Sequence, residues 1–361
     1  MRSLLARIPA FRLARRLGRP LVLPASLTVS VLYACNSRCK TCHVYENKAK
    51  VLRPDEYDRI FASLGHAPRW VTLSGGEPFL RKDLGDIALL LWKHCRPKVI
   101  NLPTNGSLPD AVEATVERVT AEAKGTAFVV NLSIDEVGPR HDELRGFPGS
   151  YERALETLNR LRRLKARRKN LTLGIHTVVS AYNEARFEEI ADHCRSLGPD
   201  SYIVEVAEQR VELGTVKDAL APSDEGLQRA LGNLRRHSRR ARTAVEALVA
   251  SLRQEYYAHL ERYAKQRREL LPCFAAITSA HLMPEGKLWA CCILGETLGN
   301  LREADYDFPT VWYSTQANAI RARIKREQCH CPLANQAYLN MLVDPKSLAR
   351  VAARSARAVL R

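Results

Sequence analysis

The sequence predicts an α/β protein in which parallel strands alternate with helices. Three observations carry that reading. Apolar runs rich in β-branched residues occupy 27–33, 69–73, 98–102, 127–134, 171–179 and 201–207. Helix-like stretches lie between them, near 54–65, 83–95, 109–124, 150–169 and 184–197. The chain has 361 residues and is 46% hydrophobic, enough for a sizeable core. Strands that alternate with helices build right-handed βαβ units on a parallel sheet. A doubly wound sheet or a partial barrel satisfies the pattern equally.

The elements follow in order. Residues 1–26 read as a basic tail. The first strand, Leu27 to Tyr33, runs into a loop carrying Cys35, Cys39 and Cys42. Pro54 followed by Asp55 and Glu56 is a helix start, and Gly65 a stop. The second strand ends at Leu73-Ser-Gly-Gly-Glu-Pro78, the third at Thr104-Asn-Gly106, the fourth at Ser133-Ile-Asp135. The βα core is expected over 27–222. A basic helical linker follows over 223–270, with no glycine between Gly232 and Gly286. Pro272-Cys273 opens a cysteine-bearing domain over 271–345. A basic amphipathic helix, 346–361, ends the chain, with Leu348, Val351, Ala352 and Val359 on one side.

Formal net charge is +17. Residues 1–20 carry six arginines and no acid, and 345–361 carry five basic residues and no acid. Such ends suit solvated helix faces, an anionic membrane surface or an acidic substrate. Nucleic acid is disfavoured, because no standard binding motif is present and Phe11 is the only aromatic in the two ends. The Arg-rich start before Cys35 imitates a lipoprotein signal, but Pro20 and Pro24 interrupt its apolar run. No run of about 18 apolar residues exists to span a membrane. A cytoplasmic protein is expected, with peripheral contact at the inner membrane face as an extension of that reading. The ten cysteines are clustered, which in a reducing compartment points to metal binding or chemistry.

The spacing C-x3-C-x2-C is the sharpest signal. Thiolates are the ligands of iron–sulfur clusters and of zinc, and a closed structural zinc site wants a fourth ligand. Three ligands on a [4Fe–4S] cluster leave one iron open. Gly75 and Gly76 permit close backbone approach, and Glu77 places a carboxylate beside that gap. The cysteine loop after strand one, Gly-Gly-Glu-Pro after strand two, Thr-Asn-Gly after strand three, Ser-Ile-Asp after strand four and Asp142-Glu-Leu-Arg-Gly146 together resemble the radical S-adenosylmethionine (radical SAM) enzymes over about 27–210.

The resemblance implies a TIM-like partial (β/α)6 barrel with its site at the strand C-terminal ends. It implies that Cys35, Cys39 and Cys42 hold a [4Fe–4S] cluster whose open iron takes S-adenosylmethionine. Gly75, Gly76 and Glu77 would hold the methionine ammonium, Ser133 and Asp135 the ribose hydroxyls, and Arg145 the carboxylate. Thr41 stands where the family often has an aromatic residue, which leaves the adenine contact open. Further along, Cys273, Gly286 and Cys291 have the form C-x12-G-x4-C, which resembles the opening of SPASM and Twitch auxiliary-cluster domains. Only Cys329 and Cys331 follow Cys292. One auxiliary [4Fe–4S] cluster on Cys273, Cys291, Cys329 and Cys331 is therefore expected, with Cys292 spare or exchanging with Cys291. Zinc on the same four thiolates is the alternative. No role is expected for Cys95 or Cys194, and His176, His141, Tyr33 and Tyr45 read equally as core or site residues.

The implied activity is reductive cleavage of S-adenosylmethionine and abstraction of a hydrogen atom from an unidentified substrate, for an oxidation or a radical maturation step. It needs a one-electron donor such as a flavodoxin or ferredoxin. The catalytic residues toward substrate are unassigned, and the substrate is a lipid, glycan, peptide or small metabolite. With about 26 residues before strand one, a peptide substrate would need a separate recognition protein. The rival reading is a non-catalytic zinc-binding protein with nucleic-acid or membrane-surface contacts, in which Gly-Gly-Glu-Pro has no purpose.

Overall fold

A computed structural model describes residues 2–237, 243–266, 270–327 and 331–359. Six βα units come first. Their strands are β1 (Ser26–Ser30), β2 (Trp70–Ser74), β3 (Val99–Thr104), β4 (Ala127–Ser133), β5 (Leu171–Val179) and β6 (Ser201–Val206). Short α1 (Arg2–Leu5) and α2 (Ile8–Leu17) precede them. Between strands lie α3 (Pro54–Leu64), α4 (Leu84–Cys95), α5 (Pro109–Glu122), α6 (Pro139–Arg145), α7 (Ser150–Lys165) and α8 (Phe187–Ser196). After β6 come α9 (Asp224–Arg236), α10 (Ala244–Gln266), β7 (Ser279–Leu282), β8 (Lys287–Trp289) and β9 (Thr297–Asn300). The chain ends in α11 (Phe308–Trp312), α12 (Thr315–Arg326), α13 (Ala334–Val343) and α14 (Pro345–Val359).

The sheet order is β6-β5-β4-β3-β2-β1-β7-β8-β9. Strands β1 to β7 pair in parallel, and β8 and β9 are antiparallel. The expected α/β barrel core is present. The strands of the expected C-terminal cysteine-bearing region extend its sheet from the β1 side.

Strand register sorts the side chains onto two faces. Leu27, Val29, Val71, Leu73, Ile100, Leu102, Val130, Leu132, Leu173 and Ile175 belong to the main buried cluster with the flanking helices. Each such side chain contributes about 1.5–3 kcal/mol. The opposite, inner face is polar: Thr28, Ser30, Thr72, Asn101, Asn131, Ser133, His176, Glu205 and His281. Asn131 donates to Asn101 Oδ1 at 2.7 Å, and Gly174 opposite leaves room for it, since a Cβ there would stand 1.9 Å from Asn131 Oδ1. A six-stranded partial barrel has an open side between β6 and β1. Residues after β6 cross it, because Val211 N and Glu212 N donate to Ile293 O and Cys292 O in the β8–β9 turn.

The basic ends are largely docked. In α2, Phe11 and Ala14 are buried against Phe274, Ile277 and Val343. Arg7 donates to the carbonyls of Ala67 and Leu23, and Arg15 to that of Cys273. In α14, Arg350 and Arg354 reach the fully buried Glu255 of α10 at 2.8 and 2.7 Å. The linker region is two helices, α9 and α10, which build a second core with α13 through Tyr256, Tyr257, Leu260 and Met341.

One carboxylate ties the barrel to the C-terminal region. Glu56 of α3 is buried and accepts from Arg302 Nε at 2.7 Å, Tyr306 Oη at 2.9 Å and Arg53 N at 2.8 Å. Arg302 foremost, with the backbone and Tyr306 donors, holds its carboxyl down at about 2, below the ordinary 4.5. Because the folded value is depressed, the stabilisation is complete above pH 4.5 and is lost as pH falls toward 2. Glu56→Gln is expected to cost about 3 kcal/mol at pH 7. In denaturant melts the gap to wild type should shrink by pH 3; a gap independent of pH contradicts this assignment.

Candidate functional site

The three thiols sit in the loop leaving β1, at the C-terminal end of the parallel strands. Four separate segments hold that loop. The Gly-Gly-Glu turn after β2 comes first: Gly76 N donates to Leu32 O at 2.9 Å and Glu77 N to Ala34 O at 3.0 Å. A Cβ on Gly76 would lie 2.1 Å from Ala34 O, and one on Gly75 2.3 Å from Leu32 O. Gly75 also has φ +140, which favours glycine. The close approach that sequence reading reserved for a ligand is thus made to the chain's own backbone just before Cys35.

The Thr104-Asn-Gly106 turn holds the next stretch. Asn105 Nδ2 donates to Asn36 Oδ1 at 2.8 Å and Ser37 Oγ at 3.0 Å. Glu77 closes this layer from below. It is 1% exposed and accepts from Thr104 Oγ1 at 2.8 Å, Asn105 N at 2.8 Å and Phe79 N at 3.2 Å. Burial pushes its carboxyl up to about 7 against those three donors.

The end of α6 holds the third stretch. Arg38 N and Lys40 N donate to Arg145 O and Leu144 O, both at 2.9 Å. Gly146 has φ +57, and a Cβ there would stand 2.3 Å from Arg38 O. Arg145 bridges onward: Nη1 lies 3.7 Å from Cys39 Sγ, and Nη2 pairs with Asp135 Oδ2 at 2.6 Å. Its Nε is buried without a hydrogen-bond partner. Asp135 also accepts from Val178 N at 2.8 Å, so that carboxylate joins the ends of β4 and β5. Ser133 is half-buried on the inner face, with His176 as its register partner. The fourth contact comes from the segment after β6, where Leu213 O accepts from His43 N at 2.8 Å.

Burial pushes the Cys42 thiol up to about 12, and burial likewise raises Cys35; Cys39 adds to both. Three mutually repelling thiolates beside a guanidinium ionise together only against a cationic centre. That donor set fits a [4Fe–4S] cluster.

The C-terminal cysteines divide. Gly286, φ +95, makes the β7–β8 hairpin turn, which explains the glycine in the C-x12-G-x4-C pattern. Cys273 is buried, while Cys291 and Cys331 are partly so; Cys329 lies outside the described residues. Cys292 is buried beside Glu212 and His281. Sequence reading missed this grouping, because residues 212, 281 and 292 show no common spacing. Cys95 and Cys194 are buried core thiols. His141 is 1% exposed, with Nδ1 accepting from Asp135 N at 3.3 Å. Tyr33 Oη donates to Glu285 at 2.9 Å.

Residues 29–194 match the family model of the radical SAM superfamily. Over that span the chain is similar to that superfamily. Among curated proteins it is 30% identical over 197 residues to a pre-heme d1 synthase of Dinoroseobacter shibae. The match covers 53% of this chain and 44% of that protein. It is 27% identical over 214 residues to a GTP 3',8-cyclase of Aquifex aeolicus, covering 56% and 61%. The chain thus spans about half the length of these relatives. Among solved structures, native anSMEcpe with bound AdoMet superposes with TM-score 0.62 at 14% identity, covering 93% of this chain and 98% of that one. Streptococcus suis SuiB bound to S-adenosylmethionine gives 0.60 at 16%, covering 84% and 69%. These likenesses are of fold, and they extend through the C-terminal region.

Gly76→Ala is expected to displace residues 33–34 and lower the iron retained after anaerobic reconstitution by about one cluster, roughly four irons per chain. Gly125→Ala, at an exposed turn where a Cβ meets nothing within 4 Å, is the control. Equal iron in both variants contradicts the close approach.

Proposed function

We propose that this chain binds a [4Fe–4S] cluster through Cys35, Cys39 and Cys42 and uses it to cleave S-adenosylmethionine reductively. A cluster held by Cys35, Cys39 and Cys42 would supply one electron for cleavage of the sulfonium, and the chemistry available there would be hydrogen-atom abstraction from substrate by the 5′-deoxyadenosyl fragment, with methionine as the other product. The observation that carries the reading is the convergence of four segments on one cysteine loop at the strand C-terminal ends. Gly75, Gly76 and Glu77 line the ammonium side, and Arg145 keeps one donor, Nε, for a carboxylate. Ser133 and Asp135 stand on the ribose side.

One auxiliary [4Fe–4S] cluster on Cys273, Cys291, Cys329 and Cys331 would relay electrons from an oxidised substrate. The net reaction is then an oxidation or a radical maturation. The polar inner face supports a substrate rich in hydrogen-bonding groups. The electron donor is a flavodoxin or ferredoxin.

Peripheral membrane contact rests on α2. Its outer side exposes Leu13 and Leu17, at 46% and 51%, each directly after an exposed arginine, Arg12 and Arg16. No helix among the described residues is long and apolar enough to cross a membrane.

Two measurements test these readings. With dithionite and S-adenosylmethionine, wild type should release 5′-deoxyadenosine, and the Cys35→Ala, Cys39→Ala, Cys42→Ala variant none. Product from the triple variant, or none from iron-loaded wild type, refutes the enzyme reading. In flotation with anionic vesicles, Leu13→Ser with Leu17→Ser should abolish co-migration; wild type that stays at the bottom removes the membrane proposal.

A further inference from the structure

A second constellation lies beside the cysteine loop, on the segment whose Leu213 O accepts from His43 N. Glu212 follows β6, His281 sits on β7, and Cys292 follows β8. Among the described residues they are the one group of three such side chains whose ligand atoms all lie within 4.8 Å of one another. His281 and Cys292 are buried, and the Glu212 side chain is 13% exposed. His281 Nε2 stands 3.3 Å from Glu212 Oε1. Ser30 Oγ is 2.8 Å from the same nitrogen and 3.2 Å from the same oxygen.

We propose that Glu212, His281 and Cys292 bind a divalent zinc-type cation, as a metal site distinct from both expected iron–sulfur clusters. One carboxylate oxygen, one imidazole nitrogen and one thiolate form the mixed donor set that zinc takes. Metal–ligand bonds of about 2.0–2.3 Å put neighbouring donors roughly 3–4 Å apart, so these side chains need only small adjustments.

The framework fixes all three donors. His281 is the register partner of Thr28 on the inner face. Glu212 N donates to Cys292 O, so two of the ligands are tied through their own backbones. Cys292 is next to Cys291 in the turn after β8, and the two differ in burial: Cys292 is buried and Cys291 only partly so. Cys292 alone of the two stands with Glu212 and His281. A thiolate and a carboxylate balance a divalent ion. The nearby Arg210 is engaged by Glu208 at 3.2 Å and Glu205 at 3.5 Å. Ser30 Oγ occupies the fourth direction. On ion binding it either turns aside, which leaves an exchangeable fourth position, or becomes the fourth ligand and closes the site.

The site is independent of the proposed activity and is tested without turnover. Anaerobically reconstituted full-length protein is equilibrated with one equivalent of zinc chloride and desalted. Retained zinc is counted by mass spectrometry, and its shell is read by zinc-edge X-ray absorption, which iron does not obscure. Wild type should hold about one zinc, with one sulfur near 2.3 Å and nitrogen or oxygen near 2.0 Å. His281→Ala and Cys292→Ser should each lower retention at least tenfold with iron and sulfide contents unchanged. Cys291→Ser should keep the zinc. No zinc on wild type, a shell of four sulfurs, or full retention by His281→Ala overturns the proposal.

Discussion

The structure depends on the approach of two backbones. The turn after β2 lies against the chain leaving β1 so closely that no side-chain carbon fits at Gly75 or Gly76. Two hydrogen bonds, to Leu32 O and Ala34 O, then carry the β1–β2 pairing past the ends of the strands. They set the direction in which the chain enters Cys35. From that point the loop is gripped in sequence by Asn105 and by the backbone of residues 144–145. A loop with three half-buried thiols that repel one another when ionised gains little from its own packing. Its shape is imposed from outside by four segments remote in sequence.

That arrangement gives the motif residues a double duty. Glu77 is saturated by three donors of its own chain, and Asp135 is committed to Arg145 and Val178. Any contact either makes with a cofactor comes on top of a structural role, so removing it disturbs the loop as well as the ligand. Buried carboxylates of this kind are costly to strip of partners. Arg145 is the residue with a donor to spare. It also places a positive charge beside Cys39, where a thiolate must be stabilised.

The barrel was legible in the sequence because its strands are short apolar runs bounded by turn residues, and β1 to β6 lie within a few residues of the predicted runs. The cysteine loop and its companion motifs were legible because each is local. What escaped was long-range. The Gly-Gly pair reads as a place for a ligand, and its close approach to Leu32 and Ala34 shows only in three dimensions. Arg350 and Arg354 read as a solvated basic face until Glu255, some hundred positions away, is found between them. Cys292 reads as a spare until residue 212 and residue 281 arrive beside it. The junction of the C-terminal strands with the barrel sheet is not legible either, because β7 pairs with β1 across about 250 residues, a pairing no local pattern encodes.

The central claim is that the loop holds a cluster with one open iron for S-adenosylmethionine. Electron paramagnetic resonance of the dithionite-reduced protein tests it directly, with and without S-adenosylmethionine. The loop cluster's signal should change its g values when S-adenosylmethionine is added, and that change should be absent from the Cys35→Ala, Cys39→Ala, Cys42→Ala variant. A reduced cluster signal that ignores S-adenosylmethionine, or a protein that takes up zinc and no iron at the loop, would contradict the account.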